Sequence, residues 1–325
     1  MKDKLKDQIK IAAEIIRKGG LVAFPTETVY GLGADGLNPV AVAKIFEVKN
    51  RPTFNPLILH IENEDRLKTV CEIPNEKVYD LIEEFWPGPL TFVLPKKPNV
   101  PEIVTAGLNS VAVRMPDNQI ALELIKQSGT PIAAPSANLF GQLSPTRAGH
   151  VQKQLGDKID MILDGGNCSV GIESTILLIE KEEITLLRPG GVPLESIREV
   201  IGEIKLFPKK SDRPNSPGQL PFHYSPQTPI LMLTIENIEK HKNEKIGAIF
   251  FKENDWKFNF EKEIILSQSG SLSEAAANLF STLHKLDDLQ LDCILIEPFP
   301  QEGLGVALMD RIQRAVAKYE TKLPL

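Results

Sequence analysis

Pro25-Thr26-Glu27-Thr28-Val29-Tyr30-Gly31-Leu32-Gly33 sets hydroxyls and a carboxylate after a short apolar run, then glycines that let a ligand approach the backbone. Lys49-Asn50-Arg51-Pro52-Thr53-Phe54-Asn55-Pro56 places two cations at i, i+2 in a proline-rich loop. An ammonium and a guanidinium so spaced can meet several oxygens of a polyphosphate at once. His60 interrupts an apolar strand, where a satisfied core histidine is the usual occupant. In Ser110-Val111-Ala112-Val113-Arg114 the alternation puts Ser110, Ala112 and Arg114 on one face, and the strand-end arginine suits a carboxylate or phosphate. Pro131-Ile132-Ala133-Ala134-Pro135-Ser136-Ala137-Asn138 ends a strand in small and hydroxyl residues, leaving room for a ligand. Ser144 reads as a helix N-cap with Pro145 in the first turn, an arrangement whose N–H groups suit an anion. Asp164-Gly165-Gly166, Gly171-Ile172-Glu173-Ser174-Thr175 and Leu187-Arg188-Pro189-Gly190-Gly191 add further glycine, hydroxyl and arginine loops.

Two familiar nucleotide motifs nearly match and fail. Gly31, Gly33 and Gly36 fit G-x-G-x-x-G, yet polar residues separate them from the preceding strand, and basic Arg51 stands where an acid is required. Gly166 to Gly171 has P-loop glycine spacing, but Ile172-Glu173 replace the lysine and hydroxyl that grip phosphate and magnesium. No Ser-His-Asp set or acid pair stands out as hydrolytic. Lys49, Arg51, Arg114 and Arg188 instead suggest a cationic pocket on strand-end loops, suited to a nucleoside triphosphate held by side chains.

The elements that must position these residues follow from periodicity. Ile9, Ala12, Ala13 and Ile16 mark a helix stopped by Gly19-Gly20, and a short strand over 21–24 runs into a glycine turn. Helices are expected over 40–48, 77–85 and 119–127, and strands over 57–61, 90–94, 111–114, 131–134, 161–163, 175–179 and 184–187. A short helix over 193–201 closes this part. Strands and helices mix without strict alternation, so the fold class is α/β of mixed α+β kind, built on a twisted mixed sheet. After Phe207 six prolines and Gly218 mark an extended linker. Beyond it, strands over 230–233, 246–251, 264–266 and 293–297 alternate with helices from Ser271, through a capping box to Glu274, and over 306–319. A small Rossmann-like α/β domain is expected there. The boundaries are a catalytic domain over 1–206, a linker over 207–229 and the small domain over 230–325.

The 325 residues are 42% hydrophobic and 25% charged, ordinary values for a globular chain large enough for two domains. A net charge of −6 argues against a molecule that binds nucleic acid by its overall charge, although a local basic site is compatible with it. Cys71, Cys168 and Cys293 are scattered and read as reduced structural thiols, and the five histidines show no zinc-like spacing. The N-terminal residues interleave charge with apolar side chains, unlike a signal peptide, and no run suits a membrane span, so a cytoplasmic location is expected.

PTETVYGLG, KNRPTFNPLILHI, WPGPLTFVL, SVAVRMP, PIAAPSAN, SPT, GIESTI and LRPGG, in this order, resemble the YrdC-domain family, and the linker and second domain resemble its two-domain threonylcarbamoyl-AMP synthases. The resemblance implies a nucleotidyltransferase that makes L-threonylcarbamoyl-adenylate and pyrophosphate from ATP, L-threonine and bicarbonate or CO2. The product serves the threonylcarbamoyl modification of adenosine 37 in tRNA. By motif position, threonine contacts fall on Thr28, His60, Arg114, Ala134 and Ser174. ATP contacts fall on Lys49, Arg51, Asn55, Ser110, Ser136, Ser144 and Arg188, with Tyr224 of the linker closing over the nucleotide. Lys49 and Arg51 carry the catalytic role, and Mg²⁺ rides mainly on the phosphates. Phe222-His223-Tyr224-Ser225-Pro226 looks like part of a lid that protects the product from water. tRNA and the downstream threonylcarbamoyl-transferase complex are the implied macromolecular partners. The competing function is a double-stranded RNA or tRNA binding module without chemistry. A relative that makes carbamoyl-adenylate for hydrogenase maturation would carry zinc-finger-like cysteines, which are absent from this sequence.

Overall fold

A computed structural model describes residues 3–181, 183–206 and 223–320. The strands, in chain order, are β1 (Val22–Phe24), β2 (Gly31–Asp35), β3 (Ile58–His60), β4 (Leu90–Pro95), β5 (Ser110–Arg114), β6 (Ile132–Ala133) and β7 (Met161–Ile162). They continue with β8 (Thr175–Ile179), β9 (Ile184–Arg188), β10 (Lys205–Leu206), β11 (Ile230–Met232), β12 (Ile246–Phe250), β13 (Lys262–Ile265) and β14 (Cys293–Ile296). The first ten form one mixed sheet in the order β10-β9-β8-β4-β5-β3-β6-β2-β1-β7. The last four form a wholly parallel sheet, β11-β14-β12-β13, the arrangement expected of a Rossmann-like unit.

Helix Asp3–Arg17 buries Ile9, Ala12, Ala13 and Ile16, and packs with helix Gln119–Ser128 on Val22, Phe24 and Ile132. Gly19 leaves the first helix at φ +75, a conformation that costs a side-chain-bearing residue strain. Helix Pro39–Lys49 starts at Asn38, whose side chain accepts from the Val40 and Ala41 amides, and ends at Asn50 in the left-handed region. That stop puts Lys49 on the last turn and delivers Arg51 into the loop before β3. The larger core lies on one face of the mixed sheet and includes Val111 and Val113. Ala112 faces the other way, into a small cluster with Ile58, Val93, Ile176 and Leu187. The expected two-residue alternation of β5 is therefore present.

Three local expectations are corrected. Gly31–Asp35 is a strand rather than a turn: it pairs antiparallel with β1 and with β6. Its glycines answer to close packing, since a Cβ on Gly33 would come 2.8 Å from both Ile132 Cγ2 and Phe24 Cε1. Ser144 does not cap a helix. The next helix is Ala148–Leu155, with Arg147 at the N-cap position, because the Pro145 and Thr146 carbonyls accept instead from Tyr30 and Cys168 amides. Ser271 does cap helix Leu272–Asp287 through the Glu274 amide, but Glu274 turns its carboxylate to Ser267 and Ser269 rather than closing a capping box. The linker expectation over 207–222, including Gly218 and Phe222, lies outside the described residues.

The two domains share buried contacts through loops and helices. Val29, Leu143 and Ile172 of the first domain belong to one apolar cluster with Tyr224, Phe280 and Ile312. The three cysteines are buried and free. Among the described residues, no helix is long and apolar enough to cross a membrane.

Candidate functional site

A cavity opens on the sheet face that carries Ile58, Ala112 and Ile176. Ile58 and His60, two apart on β3, both line it, as does Arg114 from the neighbouring β5. The site therefore lies over a sheet face with loops folded across it, rather than only at strand ends. This is a consequence of the antiparallel β6, which carries Ala134 back to Ile58 of β3 and Ser136 to Gly31 of β2.

Thr28 and Arg114 make one group. The Arg114 guanidinium donates through Nη1 to Thr28 Oγ1 at 2.9 Å and through Nε to the Gly88 carbonyl at 3.1 Å. Its Nη2 stands 2.5 Å from Glu27 Oε1, an ion pair whose angles fall outside hydrogen-bond geometry. Thr26 fixes this loop: its hydroxyl donates to the Val29 carbonyl at 2.7 Å and lies 2.8 Å from Thr28 Oγ1. His60 lies edge-on to Phe24, and burial, then Arg114, push its imidazole down to about 3. It is a neutral ring at physiological pH.

Arg51, Arg188, His223 and Tyr224 make the second group. Arg51 donates to the Asn55 and Pro56 carbonyls at 3.2 and 2.9 Å, which aims its loop across the start of β3. Burial pulls this guanidinium down to about 9, with Tyr224 opposing and Arg188 adding to the effect. Arg188 donates to the Ser174 carbonyl and hydroxyl at 2.8 and 3.2 Å, and Ser174 Oγ is 2.8 Å from Thr91 Oγ1. Burial, then Arg51, lower the His223 ring well below its ordinary value. Cations depressed by burial and by one another mark a site short of negative charge.

The cavity thus brings together nine residues expected from the sequence: Thr28, Arg51, His60, Arg114, Ala134, Ser136, Ser174, Arg188 and Tyr224. Four others do not line it. Lys49 is buried, and its Nζ donates to the Ser136 carbonyl at 2.6 Å and to that of Asn138. Burial, then Arg51, hold its ammonium well below the ordinary value. Asn55 is fully buried with both ends of its amide unbonded. Ser110 shares the face of Arg114 at the other end of β5, beside the chain arriving from Asn55. Ser144 gives its hydroxyl to Glu173 Oε1 at 2.6 Å.

Unbonded buried polar atoms gather here: Asn55 Nδ2 and Oδ1, His60 Nδ1, His223 Nδ1 and Tyr224 Oη. Such groups are rare in folded proteins; His60, His223 and Tyr224 line the cavity, where ligand atoms would complete them. Tyr224 also holds φ at +63, a left-handed conformation that is strained for a tyrosine.

Residues 14–190 match the Sua5/YciO/YrdC family, described as Telomere recombination, and residues 192–317 match the threonylcarbamoyl-AMP synthase C-terminal domain. The chain belongs to this family. It has the two-domain form. The threonylcarbamoyl-AMP synthase of Pyrococcus abyssi is 44% identical over 95% of this chain and 94% of its own, and that of Bacillus subtilis 42% identical over 95% and 92%. The crystal structure of P. abyssi Sua5 complexed with L-threonine superposes with a TM-score of 0.90, at 42% identity over 96% of this chain and 94% of that one.

Thr26, Glu27, Glu173 and His223 stood inside the motifs of the sequence without an assigned contact, and all four belong to the site. Thr26 and Glu173 line the cavity, as does His223, while Glu27 pairs with Arg114 beneath it. Glu27 and Glu173 sat inside motifs already noted, and a carboxylate between hydroxyls and glycines was the available signal. Both carboxylates are turned to arginines, Glu27 to Arg114 and Glu173 to Arg311. The lining therefore suits anionic oxygens rather than a divalent cation held by the protein. His241, Glu244 and Cys293, whose ligand atoms lie within 4.8 Å of one another, belong to the second domain and not to this lining.

Proposed function

We propose that this chain is a nucleotidyltransferase that condenses L-threonine, CO2 or bicarbonate, and ATP into threonylcarbamoyl-AMP, releasing pyrophosphate. The observation that carries the reading is the meeting of two arginine groups in one cavity. Arg114 with Thr28 and His60 suits the carboxylate and small side chain of threonine, with Ala134 and Ser174 completing that pocket. Arg51 and Arg188 suit a triphosphate, with Lys49, Asn55, Ser110, Ser136 and Ser144 supporting the nucleotide and Tyr224 covering it. The threonine amine attacks CO2, forming a C–N bond and releasing a proton. A carbamate oxygen then attacks the α-phosphorus as its bond to the β-phosphate oxygen breaks. The carbamate is already nucleophilic, so the neutral His60 need not act as a base. The protein contributes position and charge neutralisation as the pyrophosphate leaves. Magnesium enters as part of the MgATP substrate, on phosphate oxygens. The adenylate is a mixed anhydride that water destroys, so its consumer is a transferase that delivers the threonylcarbamoyl group to adenosine 37 of tRNA. Buried free thiols agree with a cytoplasmic enzyme.

The test incubates the full chain with ATP, bicarbonate and threonine. Pyrophosphate that depends on threonine, together with the adenylate by mass spectrometry, is expected. Binding of double-stranded RNA or tRNA without these products would overturn the enzyme in favour of a binding module.

A further inference from the structure

Arg311 belongs to helix Leu304–Glu320 of the second domain, yet its guanidinium is 1% exposed and ends against the first. Its Nε donates to Glu173 Oε2 at 3.0 Å, and its Nη1 to the Pro189 carbonyl at 2.7 Å and to Asp310 Oδ2 at 3.0 Å. Its Cζ lies 5.5 Å from the centre of the Tyr224 ring. Glu173 and Tyr224 line the cavity, and Pro189 follows Arg188 directly. An interface of this kind gains little from a buried ion pair, because stripping water from both charges offsets their attraction, and an apolar pair would fill the space as well. A role in arranging charge accounts for what stability does not.

The carboxylate between the domains is fully engaged. Glu173 accepts from Ser144 at one oxygen and from Arg311 at the other. Besides Arg311, the cation acting on Glu173 is Arg188, which lines the same cavity. We propose that Arg311 is a positioning residue for nucleotide binding: by holding Glu173 and the face of Tyr224, it keeps Arg188 on Ser174 in the cavity wall rather than drawn to Glu173. The second domain thereby reaches the ATP side of the site through one side chain, while Arg114 and Thr28 of the threonine side bond to each other and to Gly88 rather than to it. This rests on the reading that the cavity takes ATP beside threonine.

The experiment uses the full chain and measures calorimetric affinities for a non-hydrolysable ATP analogue and for threonine. Arg311→Met is expected to weaken the analogue about tenfold or more while leaving threonine within about twofold. Arg311→Lys retains a charge without the planar fork and is expected to fall between. Adding Glu173→Gln to Arg311→Met removes the charge that would capture Arg188, so the double variant is expected to recover most of the lost affinity. Equal weakening of both ligands, unchanged analogue binding, or no recovery in the double variant would overturn the proposal. If Arg311→Met does not fold, Arg311→Lys is read by the same rule, selective loss supporting the proposal and equal or absent loss overturning it. A wild-type chain that binds the analogue but releases no threonine-dependent pyrophosphate strikes the enzyme reading alone, since the comparison is read in binding.

Discussion

Asn55 is buried with no partner for either end of its amide, which costs roughly 1–3 kcal/mol for each group left unbonded. Leucine has nearly the same shape and no such need. Asn55→Leu is expected to raise the unfolding free energy of the ligand-free chain by about 1 kcal/mol while weakening ATP, a trade visible by urea denaturation and calorimetry together. Lower stability with unchanged ATP affinity would remove Asn55 from the site. Arg51 differs, since its charge is what a departing pyrophosphate needs. Arg51→Ala is expected to cut threonine-dependent pyrophosphate release by about 10²–10³-fold, and near-normal turnover would sink its catalytic role. The residue types were legible because a cation or hydroxyl beside glycine in an apolar strand pattern is conspicuous. Arg311 was harder, although it carried a signal: Ala307, Leu308, Ile312 and Ala315 are buried on its helix, and a charge in that stripe must meet a partner.

Helices Ala148–Leu155 and Leu272–Asp287 meet through His150 and His284, whose rings stack at 3.8 Å. Burial, then the neighbouring His284, push His150 down to about 3, and burial lowers His284 as well. An unfolded chain takes up these protons near 6.5, so it binds more of them than the folded chain as pH falls below that value. The stack's contribution is complete above about 6.5 and is lost toward 3, by at most about 1.4 kcal/mol per pH unit for each histidine. Urea unfolding at pH 7.5 and 4.5 is expected to show this loss, and replacing His284 by Phe to reduce it; an equal acid loss in that variant would clear the pair. At this scale periodicity located most helices and strands, because apolar spacing reports which face is buried. It failed at Gly31–Asp35 and at Ser144, where glycine and Ser-Pro took their meaning from distant chain, Phe24 and Ile132 in one case, Tyr30 and Cys168 in the other.

Gly171, at φ +76, passes close to helix Leu272–Asp287 of the second domain. A Cβ there would lie 2.5 Å from the Ala276 carbonyl oxygen and from Ala277 Cα, backbone atoms that cannot step aside. Gly171→Ala is expected to cost roughly 1–3 kcal/mol in strain and to part the domains, splitting one calorimetric unfolding transition into two. A single transition at the wild-type temperature would show that the contact is not needed.

The chemistry of the site was set by residue type and motif order: which cations, hydroxyls and glycines are present, and that they suit threonine and a nucleotide. Tertiary structure decided the rest. It extended the site from strand ends onto a sheet face, because the antiparallel β6 returns Ala134 to Ile58 of β3 and Ser136 to Gly31 of β2. It set Lys49 and Ser144 outside the lining, where backbone carbonyls and Glu173 engage them. It also brought Arg311 to Glu173, 138 positions apart in the chain. Spacing along a chain fixes which face a side chain takes, but a charge finds its partner only when the domains pack.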